Sequence, residues 1–293
     1  MDICGLITPM CTPMTGRTGT VDHENLKALT NFLVEGGVHG LFPLGSTGEF
    51  SSLTREERRA VVETVVSCSG DVPVYAGSGD TGFQNVCHHI ADAAAVGADC
   101  AVVVTPYYLP SSDASLAEFY LAVADESPIP ILLYHIPGFT RQNLSAAQVV
   151  RLSQHERIVG IKDTSRDLTR IQRMIEDTDD DFAVLQGATS LSIVSLYMGA
   201  DGLVPSSSNV YPALLTELYE SSQNGEWERA LDIHTDHIVP FIERFTSMPA
   251  LSAIKYCVSR VGPELGPPLP PLEELSAEQK SSLDGVIEDL RSP

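Results

Sequence analysis

Lysine is scarce in this sequence. Four lysines (Lys27, Lys162, Lys255 and Lys280) stand against fourteen arginines. Basic charge of either kind is outnumbered: 18 Lys and Arg face 39 Asp and Glu, for a net charge of −21. A surface this acidic repels phosphate backbones, which argues against a nucleic-acid partner. No apolar run approaches the roughly twenty residues that a membrane helix needs, so no membrane span is expected. The N-terminus, "MDICGLITPMCTPM", has no basic segment leading into an apolar one. It reads as lacking a signal peptide and as belonging to a cytoplasmic protein. The six cysteines show no C-x-x-C spacing, and most sit in apolar company, which suits free core thiols in a reducing compartment. No G-x-G-x-x-G follows the first apolar run, which counts against a dinucleotide site. No cofactor and no metal are expected.

The acidic charge is spread along the whole chain, with "EDTDDD" (176–181) as its densest stretch. Acid everywhere, together with arginine in place of lysine, points to a protein adapted to high salt. That bears on solubility and habitat, not on activity.

Short apolar runs recur at regular intervals. They are "ICGLITP" (3–9), "HGLFPLG" (39–45), "VPVYAGS" (72–78), "CAVVVTP" (100–106), "IPILLYHIP" (129–137), "IVGIKDT" (158–164), "FAVLQGA" (182–188) and "GLVPSSS" (202–208). Most are apolar throughout, as strands buried on both faces are. Helical patterns fill the gaps. Asp22 is the expected N-cap of the first, and Thr54 with Glu57 forms a capping box for the second. Ser115 with Glu118, and Ser145 with Gln148, repeat the device. "EGGVHGL", "AVGADCAV" and "YMGADGLV" echo one another as a glycine stop running into a strand.

Eight such units predict a (β/α)8 TIM barrel over residues 1–210, with an open doubly wound sheet as the competitor. Residues 211–293 read as a C-terminal helical extension of three or so helices, in which "GPPLPPLEELS" (266–276) is a proline-rich connection and not a domain linker. In that extension "DIHTDH" (232–237) has metal-clip spacing at His234 and His237, but a solvated helix face is the expectation. The "HH" pair at 88–89 is read the same way. Lys255 is expected to pack between helices or pair with a carboxylate.

A barrel works at the C-terminal ends of its strands. There the chain places "GSTGEF" (45–50), "TPYY" (105–108), "YHIP" (134–137), Lys162, "QGAT" (186–189) and "PSSSN" (205–209). An amine can attack a ketone to form a Schiff base, provided it is neutral. Lysine's ordinary pKa of about 10.4 leaves only about one amine in a few thousand neutral at pH 7. Burial in an apolar strand lowers that pKa. The alternative is a structural lysine paired with Asp163 or another carboxylate. Tyr134 offers a phenol for proton relay. Gly45, Ser46 and Thr47 offer hydroxyls and a tight glycine turn, a nest that suits a carboxylate. Together these describe a pocket for an α-keto acid.

At these motifs the sequence resembles the superfamily of lysine-dependent pyruvate aldolases and lyases. It includes dihydrodipicolinate synthase, N-acetylneuraminate lyase and 2-keto-3-deoxygluconate aldolase. The resemblance covers essentially the whole chain. It implies a (β/α)8 barrel, a pyruvate-type substrate and a homotetramer. It implies Lys162 as the Schiff-base lysine, Tyr134 as the relay phenol, and Ser46 and Thr47 as the hydroxyl pair. Tyr108 matches a tyrosine that in some members enters a neighbouring subunit's site. Gly187 and Val204 match positions lining the pyruvate end, and Ser206 joins them from the eighth strand end.

Departures bear on the substrate. Dihydrodipicolinate synthases usually carry an arginine where this chain has Phe139, and an asparagine where it has His135. Arg141, two residues on, is a weak substitute. Neuraminate lyases carry an acidic pair where Ala188 and Thr189 stand here. The expectation is therefore an aldolase of 2-keto-3-deoxy sugar acids. The alternatives are the corresponding dehydratase, which "GSTGEFSSLT" also resembles, and 4-hydroxy-tetrahydrodipicolinate synthase.

Overall fold

The computed structural model describes residues 3–245 and 248–291, with side chains to residue 287. All eight apolar runs contain a strand: β1 (Gly5–Pro9), β2 (Gly40–Phe42), β3 (Tyr75–Gly77), β4 (Cys100–Val104), β5 (Ile131–His135), β6 (Ile158–Asp163), β7 (Ala183–Gln186) and β8 (Gly202–Leu203). They run parallel in the order β2-β1-β8-β7-β6-β5-β4-β3. A parallel bridge between Leu41 and Val74 joins β2 to β3 and closes the ring. The fold is a (β/α)8 TIM barrel, and no open sheet edge remains to favour the doubly wound alternative.

Helices surround the barrel with the expected caps. Asp22 accepts from the Asn25 amide at 3.1 Å, and Thr54 and Glu57 form the reciprocal capping box. Ser145 caps Ala146–Leu152. The pairing of Ser115 with Glu118 is corrected: Ser112 is the N-cap, so the helix Asp113–Glu126 begins three residues earlier. Asp113, in its first turn, also accepts from the Ser145 amide and hydroxyl.

The repeated glycine stop is a repeated physical device. Gly37, Gly97 and Gly199 all adopt positive φ, at 77°, 96° and 100°. In each case the next residue's amide donates five residues back: Val38 to Leu33, Ala98 to Ala93 and Ala200 to Ser195. Only glycine takes this left-handed step cheaply. The residue after that then ties the incoming strand to its predecessor. His39 Nδ1 accepts from the Leu6 amide, Asp99 Oδ2 from Val74, and Asp201 Oδ2 from Val184.

Beyond β8 the helices are more numerous than three. Pro212–Gln223 lies against β1. Trp227–Ile233 passes through a π-helical turn, His234–Ile238, into Val239–Phe245. Ala250–Val261 and Ala277–Arg291 follow. The solvated face expected for "DIHTDH" fails at His234, which is buried at the start of the π turn, while Asp232 and Asp236 stay exposed. His89 departs likewise: it bonds to Arg58 Nη1 at 3.0 Å and to Asp80 at 3.3 Å, while His88 is exposed. None of the six cysteines is in a disulfide, but only Cys11, Cys100 and Cys257 are buried; Cys4 is exposed. Among the described residues no helix is long and apolar enough to cross a membrane.

Candidate active site

The C-terminal end of the barrel holds a cavity of about 320 Å³, roofed by Phe241, Ile242 and Ile254 from the later helices. Lys162 enters it from β6, in register with Tyr134 of β5 and Leu185 of β7. Strand alternation sends Asp163 to the other face. There Arg170 Nε donates to it at 2.6 Å, and the Ser165 amide at 2.7 Å. A structural ion pair between Lys162 and Asp163 is therefore ruled out; Asp163 belongs to Arg170.

The Lys162 amine lies over two aromatic faces, 4.1 Å from the Tyr134 ring centroid and 5.0 Å from that of Phe42. The side chain is 4 % exposed. Burial lowers its pKa to about 7, with no carboxylate offsetting the effect. About half the amines are then neutral near pH 7, some thousandfold more than for lysine in water. The ring faces give the charged form partial compensation, which keeps both forms accessible.

Tyr134 is pushed the other way. Burial raises its phenol to about 12, although the hydrogen bond with Ser46 opposes the shift. Its Oη lies 3.4 Å from Ser46 Oγ. At neutral pH it is a protonated donor in line with a second hydroxyl, an arrangement that can pass protons to and from a group bound on Lys162.

The turn after β2 positions Ser46 and Thr47. A Cβ at Gly45 would meet the Phe42 ring at 3.0 Å, and one at Gly48 would meet the Met10 carbonyl at 3.0 Å. The Gly48 and Glu49 amides close the turn on the Gly45 and Ser46 carbonyls. Thr12 Oγ1 donates to the Gly48 carbonyl at 2.7 Å. Glu49, at φ 55°, is buried and accepts from Lys255 Nζ at 2.8 Å and from the Leu269 amide at 2.6 Å. The helix Ala250–Val261, through Lys255, thus clamps the turn that carries the hydroxyls.

Gly187 has a specific steric role. A Cβ there would lie 2.2 Å from Thr164 Oγ1 and 3.0 Å from Lys162 Cε. Glycine is what leaves the lysine its channel. Val204 and Ser206 line the same cavity. Asn209 holds the Ser206 turn to β1 by donating to the Pro9 and Ser206 carbonyls.

Seven of the nine expected site residues therefore meet at one cavity: Lys162, Tyr134, Ser46, Thr47, Gly187, Val204 and Ser206. Gly45 does not line it and acts on the turn. Tyr108 lies outside it, 89 % exposed at φ 79°. Phe139 stands at the mouth, whereas Arg141 does not reach the cavity. His135 points away from it, buried, its pKa lowered by burial to about 4. The sequence reading missed Phe42, Thr164 and Arg166. The last two follow Lys162 within four residues, so position alone signalled them. The roofing helices carried no such signal.

A closed eight-stranded barrel with a buried, depressed-pKa lysine beside a phenol at its C-terminal rim defines a class of protein, the Schiff-base lyases. Residues 2–290 match the dihydrodipicolinate synthetase family. The chain belongs to that family and is an enzyme of its class, a lysine-dependent carbon–carbon lyase. It is 35 % identical to the 4-hydroxy-tetrahydrodipicolinate synthase of Methanospirillum hungatei, over 97 % of this chain and 98 % of that one. The synthase of Methanopyrus kandleri is also 35 % identical, over 98 % and 96 %. Among solved structures, a dihydrodipicolinate synthase from Bacillus anthracis superimposes with a TM-score of 0.93 at 32 % identity, covering 98 % of both chains. YagE from E. coli K12, a prophage protein of the same family solved with pyruvate, gives 0.94 at 31 % identity, covering 99 % of both.

Proposed function

We propose that Lys162 forms an imine with the C2 ketone of a 2-keto-3-deoxy sugar acid, and that the enzyme cleaves this substrate to pyruvate and an aldehyde. The observation that carries the imine chemistry is the Lys162 amine, buried without a carboxylate partner among the described residues and 4.1 Å from the Tyr134 ring. The observation that favours a sugar acid is the rim of the cavity. Thr189, Ser190 and Ser206 offer hydroxyls there, and Phe139 stands where dihydrodipicolinate synthases hold arginine.

The proton balance follows from the two shifted pKa values. The neutral amine adds to the ketone and gives a carbinolamine. Tyr134 protonates the departing hydroxyl, which leaves as water, so an iminium and a phenolate remain. The phenolate, too basic to persist, takes the proton of the C4 hydroxyl as the C3–C4 bond breaks. The bonding pair passes into the iminium and makes a neutral enamine, while C4 leaves as the aldehyde. Tyr134 then returns its proton to C3. Water adds to the resulting iminium and gives its proton back to Tyr134, and pyruvate departs. Ser46, 3.4 Å from the phenol, extends the relay. Thr47 and Ser46 are placed to take the substrate carboxylate.

A second reading, condensation of pyruvate with aspartate semialdehyde, is favoured by the names of the curated relatives. It uses the same imine and enamine. The homotetramer belongs to the proposal as well: Tyr108, exposed and held at φ 79°, is free to enter a neighbouring copy's site.

The test is to incubate the protein with pyruvate and borohydride in concentrated salt and to map the adduct by peptide mass spectrometry. The expected outcome is a reduced pyruvyl adduct on the Lys162 peptide, absent from Lys162→Arg. A folded protein that gives no adduct overturns the imine chemistry. The branch is then read from products: pyruvate released from 2-keto-3-deoxygluconate, a semialdehyde without pyruvate for the dehydratase, or pyruvate consumed only with aspartate semialdehyde.

A further inference from the structure

Besides Lys162, one cation lines the cavity among the described residues. Arg166 sits in the turn after β6, beside the opening formed by Phe139, Thr189 and Ser190. Its backbone adopts φ 64°, in the left-handed region that a residue with a Cβ enters only against steric resistance. The turn around it is fixed on both sides. The Ser165 amide donates to Asp163 Oδ1 at 2.7 Å, and the Asp167 amide to Ser165 Oγ at 3.2 Å. Asp167 in turn caps the helix Leu168–Asp177 by accepting from the Arg170 amide at 3.1 Å. Strain held in place by its surroundings at a site rim motivates a functional reading.

The charge environment supports the same reading. Acidic side chains outnumber basic ones by 39 to 18 in this chain. Yet no Asp or Glu lines the cavity among the described residues, and Arg166 has no ion-pair partner among them. Its guanidinium is a free, planar fork of the kind that takes a carboxylate or phosphate in two parallel hydrogen bonds. Arg141, the other arginine near the mouth in sequence, lies outside the cavity.

We propose that Arg166 is the specificity-determining residue that holds an anionic group at the far end of the aldehyde half of the substrate. The group is a carboxylate or a phosphate, placed away from the carbonyl that meets the Lys162 enamine. This rests on the reading of Lys162 as the imine former. A phosphorylated sugar acid fits the aldolase branch of that reading, and aspartate semialdehyde fits the synthase branch.

The test measures condensation with pyruvate for three aldehydes: glyceraldehyde 3-phosphate, aspartate semialdehyde and neutral glyceraldehyde. Wild type is compared with Arg166→Gly, which relieves the positive φ and so spares the fold, and with Arg166→Lys. The readout is the ratio of kcat/KM for each anionic aldehyde to that for the neutral one. In Arg166→Gly one anionic ratio falls by about 10- to 100-fold, the loss of a charged, bidentate contact. Arg166→Lys restores part of it. The aldehyde whose ratio falls tells phosphate from carboxylate. A wild type that prefers neither anion, or a variant whose ratios do not change, overturns the proposal. Borohydride trapping of pyruvate on Lys162 is run on every variant. If wild type fails to trap, the imine reading is at fault; if all trap while the ratios stay level, Arg166 alone is.

Discussion

Lys255 Nζ donates to Glu49 Oε1 at 2.8 Å, with both side chains almost wholly buried. The two residues are far apart in sequence, one in the helix Ala250–Val261 and the other in the turn that presents Ser46 and Thr47. The turn that lines the cavity at the barrel's C-terminal end is thereby tied to a helix outside the eight-stranded ring. Removing one partner of a buried pair leaves the other charge stranded, at a cost of about 3–5 kcal/mol. Lys255→Met is therefore expected to lower stability by that order in denaturant titrations. The double variant Lys255→Met, Glu49→Gln should lose less than the two single changes added together. A Lys255→Met protein within about 0.5 kcal/mol of wild type would contradict this role.

Lys162 shows the opposite energetics, a buried amine with no carboxylate. Its pKa falls from 10.5 to about 7, so between those values the unfolded chain binds more protons than the folded one. Stability then rises with pH across that window, and the penalty for keeping the amine charged is full below pH 7. Lys162→Met should be more stable than wild type by roughly 3–5 kcal/mol at pH 6. The gap should narrow as pH climbs toward 10. In the same range, the rate of pyruvate trapping by wild type should rise through pH 7 and then level off. A variant less stable than wild type at pH 6 would show that the lysine is structural.

Gly187 is tested by its missing Cβ. In Gly187→Ala the added atom falls 2.2 Å from Thr164 Oγ1 and 3.0 Å from Lys162 Cε. The neighbours must shift, and overpacking of this kind costs about 1–3 kcal/mol. The larger effect should be on chemistry, because a displaced amine loses its alignment. Imine trapping is expected to slow by about 100-fold, the scale of a 1 Å misplacement. Adding Thr164→Ser keeps the hydroxyl near the alanine methyl, whereas Thr164→Gly removes the closest clash. Recovery of trapping in Gly187→Ala, Thr164→Gly but not in the Thr164→Ser version would identify the clash as the cause.

Much of this was legible in the sequence because it is local. Each strand announced itself as an apolar run, and the glycine stops marked where helices turn back into strands. Lys162, Tyr134 and the Ser46 turn could be aligned because barrel topology sends every strand end to one rim. The unread parts are those that depend on distance in space. That Asp163 serves Arg170 rather than Lys162 follows from strand alternation plus a helix packed behind β6. The burial of His234 coincides with a π-helical turn that leaves no mark in composition. The place of Arg166 was hidden because an exposed arginine in a polar turn reads as solvated, and only the folded chain shows that it also lines the cavity.

Phe139 tests the choice of substrate. It lines the mouth of the cavity yet is 73 % exposed, so replacing it should change stability by no more than about 0.5 kcal/mol. In Phe139→Arg a guanidinium would join Arg166 on the same rim. The second cation should strengthen binding of a carboxylate-bearing aldehyde and weaken that of a hydroxylated one, which gains nothing from it. If the enzyme is a sugar-acid aldolase, kcat/KM for aspartate semialdehyde with pyruvate should rise by at least about 10-fold, the worth of one charge-assisted contact. Pyruvate release from 2-keto-3-deoxygluconate should fall in the same protein. Steady-state kinetics on both substrates decide the matter. An enzyme already efficient with aspartate semialdehyde, and indifferent to the arginine, would mean that position 139 does not select the substrate and that the synthase reading holds.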